Sequence, residues 1–345
     1  MLISFPDHYC RHRFSAHQID LDIRADTPRF GKIFESLFGE YFPLIPSAPA
    51  DTVDAFSIVA KSVKSASELP SAGAEFTQAW QCTPEGGLEI TALCDQSRRI
   101  LLLEDRAIMQ YDLVAQTATV TAVDTAWGSV GFHCLVPFLT ELLANQDSFL
   151  LHSAANRLPD SDKAVLLFGH SGAGKTTASL ALGYGGLDVV CDDACFLSLV
   201  DDDFELWPLP RESHVHIETI ELLPQMTDVP RRASSVSDEF NIDHRDLPCC
   251  DPHQRYRATA VILLEPRNAE AHLLQPLPAI EALPELLCRV LRVVEPIASG
   301  PSGRMFQTLS RLCGSRPCFS LSVGPDLNTL APTLLQALEG LPISP

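Results

Sequence analysis

The chain has 345 residues, 46% hydrophobic and 20% charged, which suits about two globular domains and excludes a wholly disordered chain. With 25 basic against 44 acidic residues the net charge is −19, which argues against a chain-wide role in coating nucleic acid or anionic membranes. The eleven cysteines include no CxxC pair, and neither a signal peptide nor a run of 18 apolar residues is evident. We therefore expect a reduced, cytoplasmic protein that binds neither nucleic acid nor membrane.

Residues 1–128 are predicted to form the smaller of two domains, with a β-rich (α+β) fold. Short strand-like segments separated by turn residues follow one another there, as in a meander. They cover residues 88–93, 99–104, 108–113 and 117–123. Nothing in this part resembles a catalytic motif, and we expect it to bind or orient the acceptor of a reaction.

The pattern changes near Ser129, where a second domain, residues 129–345, is predicted to begin. Apolar residues at helical spacing predict a helix over 130–144 that packs on the rest of this second domain. Strands are predicted at 149–155, 164–168, 187–191, 194–200 and 258–264, and helices at 176–182, 283–294 and 327–341. This alternation of strands and helices predicts an α/β fold.

Two polar stretches interrupt this domain. Residues 225–257 are too long and too polar for an ordinary connector, so they indicate either a functional lid or a flexible, locally disordered loop. The three consecutive aspartates at 201–203 predict a solvated turn.

The most specific motif is GHSGAGKT at residues 169–176, which fits the pattern G-x-x-x-x-G-K-[ST]. It comes after a predicted strand and opens a predicted helix. Glycines let successive N–H groups point at phosphate oxygens, and the helix N-terminus adds partial positive charge. The loop is therefore predicted to bind a nucleotide. The predicted binding residues are Gly169, His170, Ser171, Gly172, Ala173, Gly174, Lys175, Thr176 and Thr177.

Two adjacent carboxylates, Asp192 and Asp193, come after the next apolar strand. Strand ends on one side of such a sheet converge where the phosphates lie. A kinase needs one carboxylate to hold Mg²⁺ and another to take the proton from the attacking hydroxyl, and the pair can serve both roles. His152, inside an apolar strand, is either a core histidine or a residue that bonds one of these aspartates and tunes its basicity.

The combination of His152-Ser, GHSGAGKT and VCDDA at 190–194 resembles the bacterial HPr serine kinase/phosphorylase group, whose members read HG, GxSGxGKS and ADD. It is also similar to the divergent relatives found in peptide-natural-product gene clusters, lasso-peptide kinases among them. The resemblance spans about residues 148–200 and is weaker at 205–224 and 303–341. It implies an HPr-kinase-like P-loop fold for the second domain.

The resemblance also implies roles for individual residues. Asp192 would be the general acid/base, with His152 as its neighbour and Lys175 on the triphosphate. The implied metal-site residues are Thr176, Asp193 and, more weakly, Glu218, for which Glu212 or Glu221 are alternatives. A loop arginine assists transfer in this group, and four candidates stay open: Arg231, Arg232, Arg255 and Arg257.

The function predicted from the sequence is a phosphotransferase that uses ATP and Mg²⁺. It would phosphorylate a hydroxyl, serine-type on a peptide or small protein, with Asp192 as general base. Two alternatives stay open. One is a kinase of a small metabolite or free amino acid. The other is a P-loop ATPase or assembly module that does not transfer the phosphate. Such proteins need a second apolar strand that ends in acidic residues, and residues 261–265 resemble it distantly. The resemblance also suggests that the chain forms a homo-oligomer.

Overall fold

The computed structural model describes residues 10–16, 19–34, 55–73, 75–83, 88–170, 172–209, 212–234, 238–251, 253–265, 270–290 and 300–339. The fold is mixed α/β with several sheets. Its backbone contacts divide the chain into two compact units, residues 1–146 with 295–302 and residues 147–294 with 303–345. None of the helices in the described ranges combines the length and the apolar character that crossing a lipid bilayer requires.

The first unit is built on one sheet of eight strands. They are β1 Cys10–Ala16, β2 Ile19–Ala25, β3 Phe56–Val63, β4 Thr77–Cys82, β5 Ile90–Asp95, β6 Arg98–Leu103, β7 Ala107–Asp112 and β8 Thr117–Val123. The order is β1-β2-β3-β8-β7-β6-β5-β4, and only the β2–β3 and β3–β8 pairs are parallel. The four strands predicted as a meander are β5 to β8.

Helices cover one face of this sheet. They are α1 Pro28–Phe34 and a continuous segment made of α2 Trp127–Val130, a π-helical turn Gly131–Leu135 and α3 Val136–Ala144. The ring of Phe138 packs edge-on against Phe56 and Tyr111, at centroid distances of 5.2 and 5.0 Å. The segment therefore packs on the sheet of the first unit, and the prediction that it packs on the second domain is wrong. The boundary predicted between residues 128 and 129 falls within α2, whereas the compact units divide after α3, between residues 146 and 147.

A buried carboxylate fixes α3 to the first sheet. Glu141 accepts a hydrogen bond from the Arg99 guanidinium at 2.9 Å and another from the Tyr111 hydroxyl. Because both carboxylate oxygens have donors, the buried charge is compensated, and removal of either partner would leave an uncompensated buried charge.

The second unit contains the remaining elements. Its strands are β9 Ser148–Leu151, β10 Ala154–Arg157, β11 Lys163–Phe168, β12 Val189–Cys191, β13 Cys195–Val200, β14 Asp203–Pro208, β15 Ser213–His216, β16 Arg232–Ala233, β17 Glu239–Ile242, β18 Tyr256–Leu264, β19 Leu273–Pro276 and β20 Cys318–Ser322. Its helices are α4 Lys175–Tyr184, α5 Ile217–Leu222, α6 Ala279–Val290, α7 Gly300–Ser315 and α8 Leu330–Glu339. The first residues of α7, up to Ser302, belong to the first unit.

The main sheet of the second unit has the order β12-β10-β11-β18-β14-β13-β9, with β20 parallel to β18 and β19 beside β20. One face packs on α4 and α8 and the other on α6 and α7. Side chains of β11 alternate between these two apolar layers, which explains why its sequence is a continuous apolar run.

The strands β11, β12 and β18 run in the same direction, since β10 is antiparallel to both β11 and β12 and β18 is parallel to β11. We call the edge where these three strands end the carboxyl edge, and the edge where they begin the amino edge. Chain turns that come after β11, β12 and β18 therefore meet at the carboxyl edge.

The polar segment 225–257 carries more regular structure than its composition predicts. It contains β16 and β17, which form a small sheet in the order β15-β17-β16. Met226 and Ile242 from this segment are buried in the apolar layer beside α4. Polar residues outnumber apolar ones here because one side of a small antiparallel sheet faces solvent.

One prediction made from local pattern needs correction and another is confirmed. The strand predicted at 149–155 is interrupted at His152 and Ser153, so that β9 and β10 are separate strands with different partners. Neither glycine nor proline marks this break in the sequence. The predicted solvated turn at 201–203 is confirmed, with Asp201 and Asp202 exposed, and it also binds α7 and the residue after it. Arg311 donates to Asp202 at 2.8 Å, and Arg316 donates to Asp203.

Candidate functional site

The glycine-rich loop and the aspartate pair lie at the same edge of one sheet. The loop comes after Phe168, the last residue of β11, and Asp192 comes after Cys191, the last residue of β12. Strand β10 lies between them, and its Cα positions pair Ala154 with Leu167 and Ala155 with Cys191. Because neighbouring strands are about 4.8 Å apart, the ends of β11 and β12 are roughly 10 Å apart. A nucleotide phosphate group, its metal ion and an acceptor together fill a distance of this size between the two strand ends.

The loop adopts backbone conformations that favour glycine. Gly172 and Gly174 have φ angles of 78° and 89°, where another residue would be strained by roughly 1–2 kcal/mol. At Gly169 a Cβ would lie 3.0 Å from the Cβ of Ala173 and 3.2 Å from that of Leu264. The three glycines of the motif are thus required by the turn and by close packing.

Helix α4 begins directly after this loop. Its N-cap is Gly174, whose conformation is left-handed and which supplies no side-chain hydrogen bond to the first turn. The N–H groups of a first helical turn have no partner within the helix, so they are suited to anions. The loop therefore offers a cradle of backbone donors in front of a helix N-terminus.

Lys175 places a cation in this cradle. Lys175 is only 8% exposed, and its Nζ donates to the carbonyl oxygens of Gly169 at 2.9 Å and His170 at 3.4 Å. The ammonium therefore lies along the loop, within reach of a phosphate bound there. Thr176 is next in the first turn of α4, whereas the Thr177 hydroxyl lies 2.7 Å from that of Thr219. Ser171, also predicted to bind nucleotide, lies outside the described residues.

Asp192 and Asp193 differ in environment although they are adjacent. Asp192 is 8% exposed, whereas the Asp193 side chain is 36% exposed. His152 Nδ1 lies 3.0 Å from Asp193 Oδ1 and 3.1 Å from the Asp193 carbonyl oxygen. The imidazole thus contacts Asp193, whereas the family resemblance made it the neighbour of Asp192. Because His152 bridges the side chain and backbone of one residue, it fixes the bend that carries both carboxylates.

Buried thiols surround this bend. Cys191 donates to the carbonyl oxygen of Ser153 at 3.5 Å, and the Ser153 hydroxyl lies 3.3 Å from Cys195 Sγ. Burial raises the pKa of Cys249 to about 12, and the negative charge of Asp192 contributes to the increase. The Cys249 thiol is therefore protonated at neutral pH. Sequence reasoning missed this thiol, because it lies 57 residues along the chain from Asp192.

Backbone hydrogen bonds hold residues 248–250 against β12. Val189 of β12 pairs with Cys249 in a parallel bridge, Val189 N–H donates to the Pro248 carbonyl and Cys250 N–H donates to the Val189 carbonyl, both at 2.8 Å. Residues 248–250 thus run along the outer side of β12. We call these contacts the β12 seam.

The three glutamates considered for the metal site lie in different places. Glu218 is exposed in the first turn of α5, next to Thr219. Glu221 comes two residues after Thr219, about 200° around the helix, so it lies on the side away from α4. Glu212 instead accepts a hydrogen bond from Asn241 at 3.2 Å and pairs with Arg232. Only Glu218 therefore adjoins the contact between α5 and the loop helix.

The four arginines left open by the sequence fall into two groups. Arg257 is opposite Lys163 at the amino edge and pairs with Asp162, while Arg255 pairs with Glu205. Six residues of strand, about 20 Å, separate Arg257 from the carboxyl edge. These two arginines are therefore too far from the glycine loop to assist a transfer there.

The other two arginines lie on or beside the small sheet, whose strand β15 packs against α4. The Arg231 guanidinium stacks 5.3 Å from the Phe240 ring centroid and donates to the carbonyl oxygens of Met226 and Thr227. Arg232 on β16 is exposed and pairs with Glu212. Of the two, Arg232 is held by an exposed ion pair, which is readily exchanged for a phosphate.

The donor atoms at the carboxyl edge suit magnesium. Within the described ranges, no three or more histidine, cysteine, aspartate or glutamate side chains are grouped so that they would hold a metal ion by themselves. Magnesium is commonly held by one or two carboxylates together with substrate phosphates, and it prefers hard oxygen ligands. The Thr176 hydroxyl and the carboxylates of Asp192 and Asp193 are such ligands. The residues present therefore fit a magnesium–nucleotide complex.

Comparison with known proteins adds little to this geometry. No protein-family model matches the chain, and no curated protein matches it. Among solved structures, the chain is similar to the Hpr(Ser) kinase/phosphatase from Coxiella burnetii with 16% sequence identity and a TM-score of 0.29, over 55% of this chain and 99% of that one. A likeness at this level does not establish a shared fold or activity, so any proposed function depends on this chain's own residues.

Proposed function

We propose that the second unit is an ATP- and Mg²⁺-dependent phosphotransferase that phosphorylates a hydroxyl, serine-type on a peptide or small protein. One observation carries the proposal: a lysine-bearing glycine cradle and the buried carboxylate of Asp192 lie at one edge of one sheet, on strands about 10 Å apart. This separation suits a phosphate group held by the cradle with an acceptor hydroxyl between it and Asp192. On this proposal the first unit binds or orients the acceptor.

Each part of the cradle has a role in binding. The N–H groups of residues 169–177 hold the phosphate oxygens, and Lys175 Nζ moves from the Gly169 and His170 carbonyls to the β- and γ-phosphates. Thr176, Asp193 and Glu218 would hold the metal. A bound Mg²⁺ would supply positive charge that neutralises the negative charge developing on the phosphates.

Asp192 acts as general base in this proposal. Its carboxylate takes the proton of the acceptor hydroxyl while the acceptor oxygen bonds to the γ-phosphorus and the bond from that phosphorus to the β-bridging oxygen breaks, which releases ADP. Because Asp192 is only 8% exposed, few water molecules can compete for the base. His152 holds the bend through Asp193 and so orients Asp192.

A second candidate is hydrolysis of ATP without transfer. Glu265 comes directly after β18, the parallel neighbour of β11, and Leu264 packs against Gly169. A carboxylate at that place is suited to orient an attacking water. In this case Glu265, not Asp192, would be the residue on which turnover depends.

The test combines the full chain with γ-labelled ATP, Mg²⁺ and three acceptor sets in parallel: serine-containing peptides and small proteins, free amino acids, and small alcohols. We expect label in the peptide or protein set and its loss in Asp192→Asn. If only the amino acids or small alcohols were labelled, the proposed acceptor would change from a peptide or protein to a small molecule. Release of phosphate alone, abolished by Glu265→Gln and unchanged by Asp192→Asn, would establish the second candidate. Failure of the chain to bind ATP by calorimetry would overturn both.

A further inference from the structure

A direct hydrogen bond joins two short helical turns that lie far apart in sequence. The hydroxyl of Thr177 in the first turn of α4 lies 2.7 Å from that of Thr219 in the first turn of α5. Thr219 is only 5% exposed and Thr177 is half-buried, so the bond is partly shielded from water. Threonine hydroxyls within helices commonly bond back to a carbonyl of their own helix. Here they bridge two helices instead.

The neighbours of these two threonines give the bond its significance. Thr176 precedes Thr177, and Glu218 precedes Thr219. Each candidate metal residue is therefore the chain neighbour of one partner in the hydrogen bond. We propose that Thr219 is a positioning residue, which holds Glu218 at the metal side of the nucleotide site. This inference rests on the proposed function.

Helix α5 needs such a constraint because it is short. It spans only Ile217–Leu222, and helices of this length are not stable by themselves. Apolar contact by Ile220 and Val215 anchors the segment, but contacts of this kind are not directional. The Thr177–Thr219 bond is directional, so it sets how α5 is rotated about its axis.

The rotation matters because the carboxylate of a glutamate extends well beyond the helix axis. A turn of 30° would displace a group about 6 Å from the axis by roughly 3 Å. Magnesium ligands must lie near 2.0–2.1 Å from the ion, so a displacement of that size removes the ligand. Loss of the Thr219 hydroxyl is therefore expected to weaken metal binding without touching the phosphate cradle.

The experiment uses four variants of the full chain: Thr219→Val, Thr219→Ser, Glu218→Gln and the double variant. Calorimetry measures ATP affinity with Mg²⁺ and again in chelator, and the Mg²⁺ concentration for half-maximal transfer is measured separately. Thr259→Val is the matched control, since Thr259 is another buried threonine, whose hydroxyl donates to the Ala164 carbonyl on β11 at 3.1 Å.

We expect Thr219→Val to weaken the Mg²⁺-dependent part of ATP affinity about tenfold, the lower end of what loss of an outer partner of a metal ligand costs. Affinity in chelator should stay at the wild-type value, and Thr219→Ser should restore the Mg²⁺ dependence. In the Glu218→Gln background, Thr219→Val should have no further effect, because the two residues act through one ligand.

Three results would overturn the inference. Thr219→Val could match wild type, it could weaken ATP binding equally in chelator, or its effect could persist in full in the Glu218→Gln background. Each of these leaves the proposed function standing as long as wild type binds ATP and transfers phosphate. If wild type does neither, the proposed function itself fails. Thermal unfolding of each variant separates all these outcomes from loss of the fold.

Discussion

The two edges of the main sheet in the second unit use charged residues in contrasting ways. At the amino edge, arginines and carboxylates form ion pairs, such as Arg257 with Asp162 at 2.9 Å and Arg255 with Glu205 at 2.7 Å. At the carboxyl edge, Lys175 bonds to backbone carbonyls and Asp193 to an imidazole, beside glycines in left-handed conformations. Charges committed to guanidinium–carboxylate pairs contribute to stability, whereas charges placed among loops and helix termini are available to a ligand.

The largest difference between the two edges of the main sheet is expected when one carboxylate is removed from each of them. Asp192→Asn should lower phosphoryl transfer by about 10²–10⁴-fold, because the amide cannot accept the hydroxyl proton. Nucleotide binding should remain, since the cradle is unchanged. Transfer from γ-labelled ATP and calorimetric ATP affinity are the measurements.

Asp162→Asn is the matched control at the amino edge. It removes one of the two carboxylate partners of Arg257, the other being Asp203, and should leave transfer at the wild-type rate. Equal loss of transfer in both variants would mean that the two edges do not differ in function.

Two lysines at opposite edges of the main sheet, Lys163 at the start of β11 and Lys175 at the start of α4, test the same contrast for nucleotide binding. Lys175→Met should weaken ATP binding about 10–100-fold, since hydrogen bonds to charged groups contribute about 1.5–3 kcal/mol. Lys163→Met should bind ATP as wild type does. Competition with a fluorescent nucleotide measures both, and similar losses would contradict a lysine-specific cradle.

Substitution of two glycines in the described part of the second unit tests whether the cradle requires a left-handed backbone conformation. Gly174→Ala places a side chain at a φ of 89° with no atom within 4 Å, so its cost comes from the backbone alone, roughly 1–2 kcal/mol of unfolding free energy. Gly303→Ala has the same open space inside helix α7 and should stabilise the protein by about 0.5–1 kcal/mol. Urea denaturation measures both, and effects of the same sign would show that the left-handed turn is not required.

The smallest effect concerns acid stability at the amino edge. The hydrogen bond from Arg257 lowers the pKa of Asp162. A carboxyl pKa lowered by folding contributes stability above its ordinary value, and this contribution is lost as the pH falls through the folded value. Arg257→Gln should therefore reduce stability at pH 7 slightly and flatten its decline below about pH 4. Unfolding curves at pH 7 and pH 3 check this, with Lys64→Gln, an exposed cation of the first unit, as control.

Residue spacing predicted those parts of the site that lie close together in sequence. The glycine motif indicated a strand, a tight turn and a helix, and β11, the loop and α4 occur in that order. Apolar runs also predicted the strands before Asp192 and the four-stranded meander of the first unit. These features depend on local conformation, which a short stretch of sequence largely determines.

Features that depend on strand register and on long-range contacts could not be predicted from the sequence. The contact of His152 with Asp193 requires β9 and β10 to separate, and no glycine or proline marks that break. The Thr177–Thr219 bond and the bridge between Val189 and Cys249 join residues more than 40 apart. The choice among four arginines required knowing that β18 runs parallel to β11, which places its first residues at the opposite edge from the loop.

The β12 seam has a consequence for how the protein behaves in solution. Strand β12 is the outermost strand of its sheet, and an uncovered outermost strand is a template for pairing with another molecule. Residues 248–250 occupy the hydrogen-bonding groups of Val189 from outside, so this border is closed to intermolecular strand addition. Deletions that remove residues 248–250 would therefore reopen it, and we expect such truncated chains to accumulate as aggregates instead of as soluble but inactive protein.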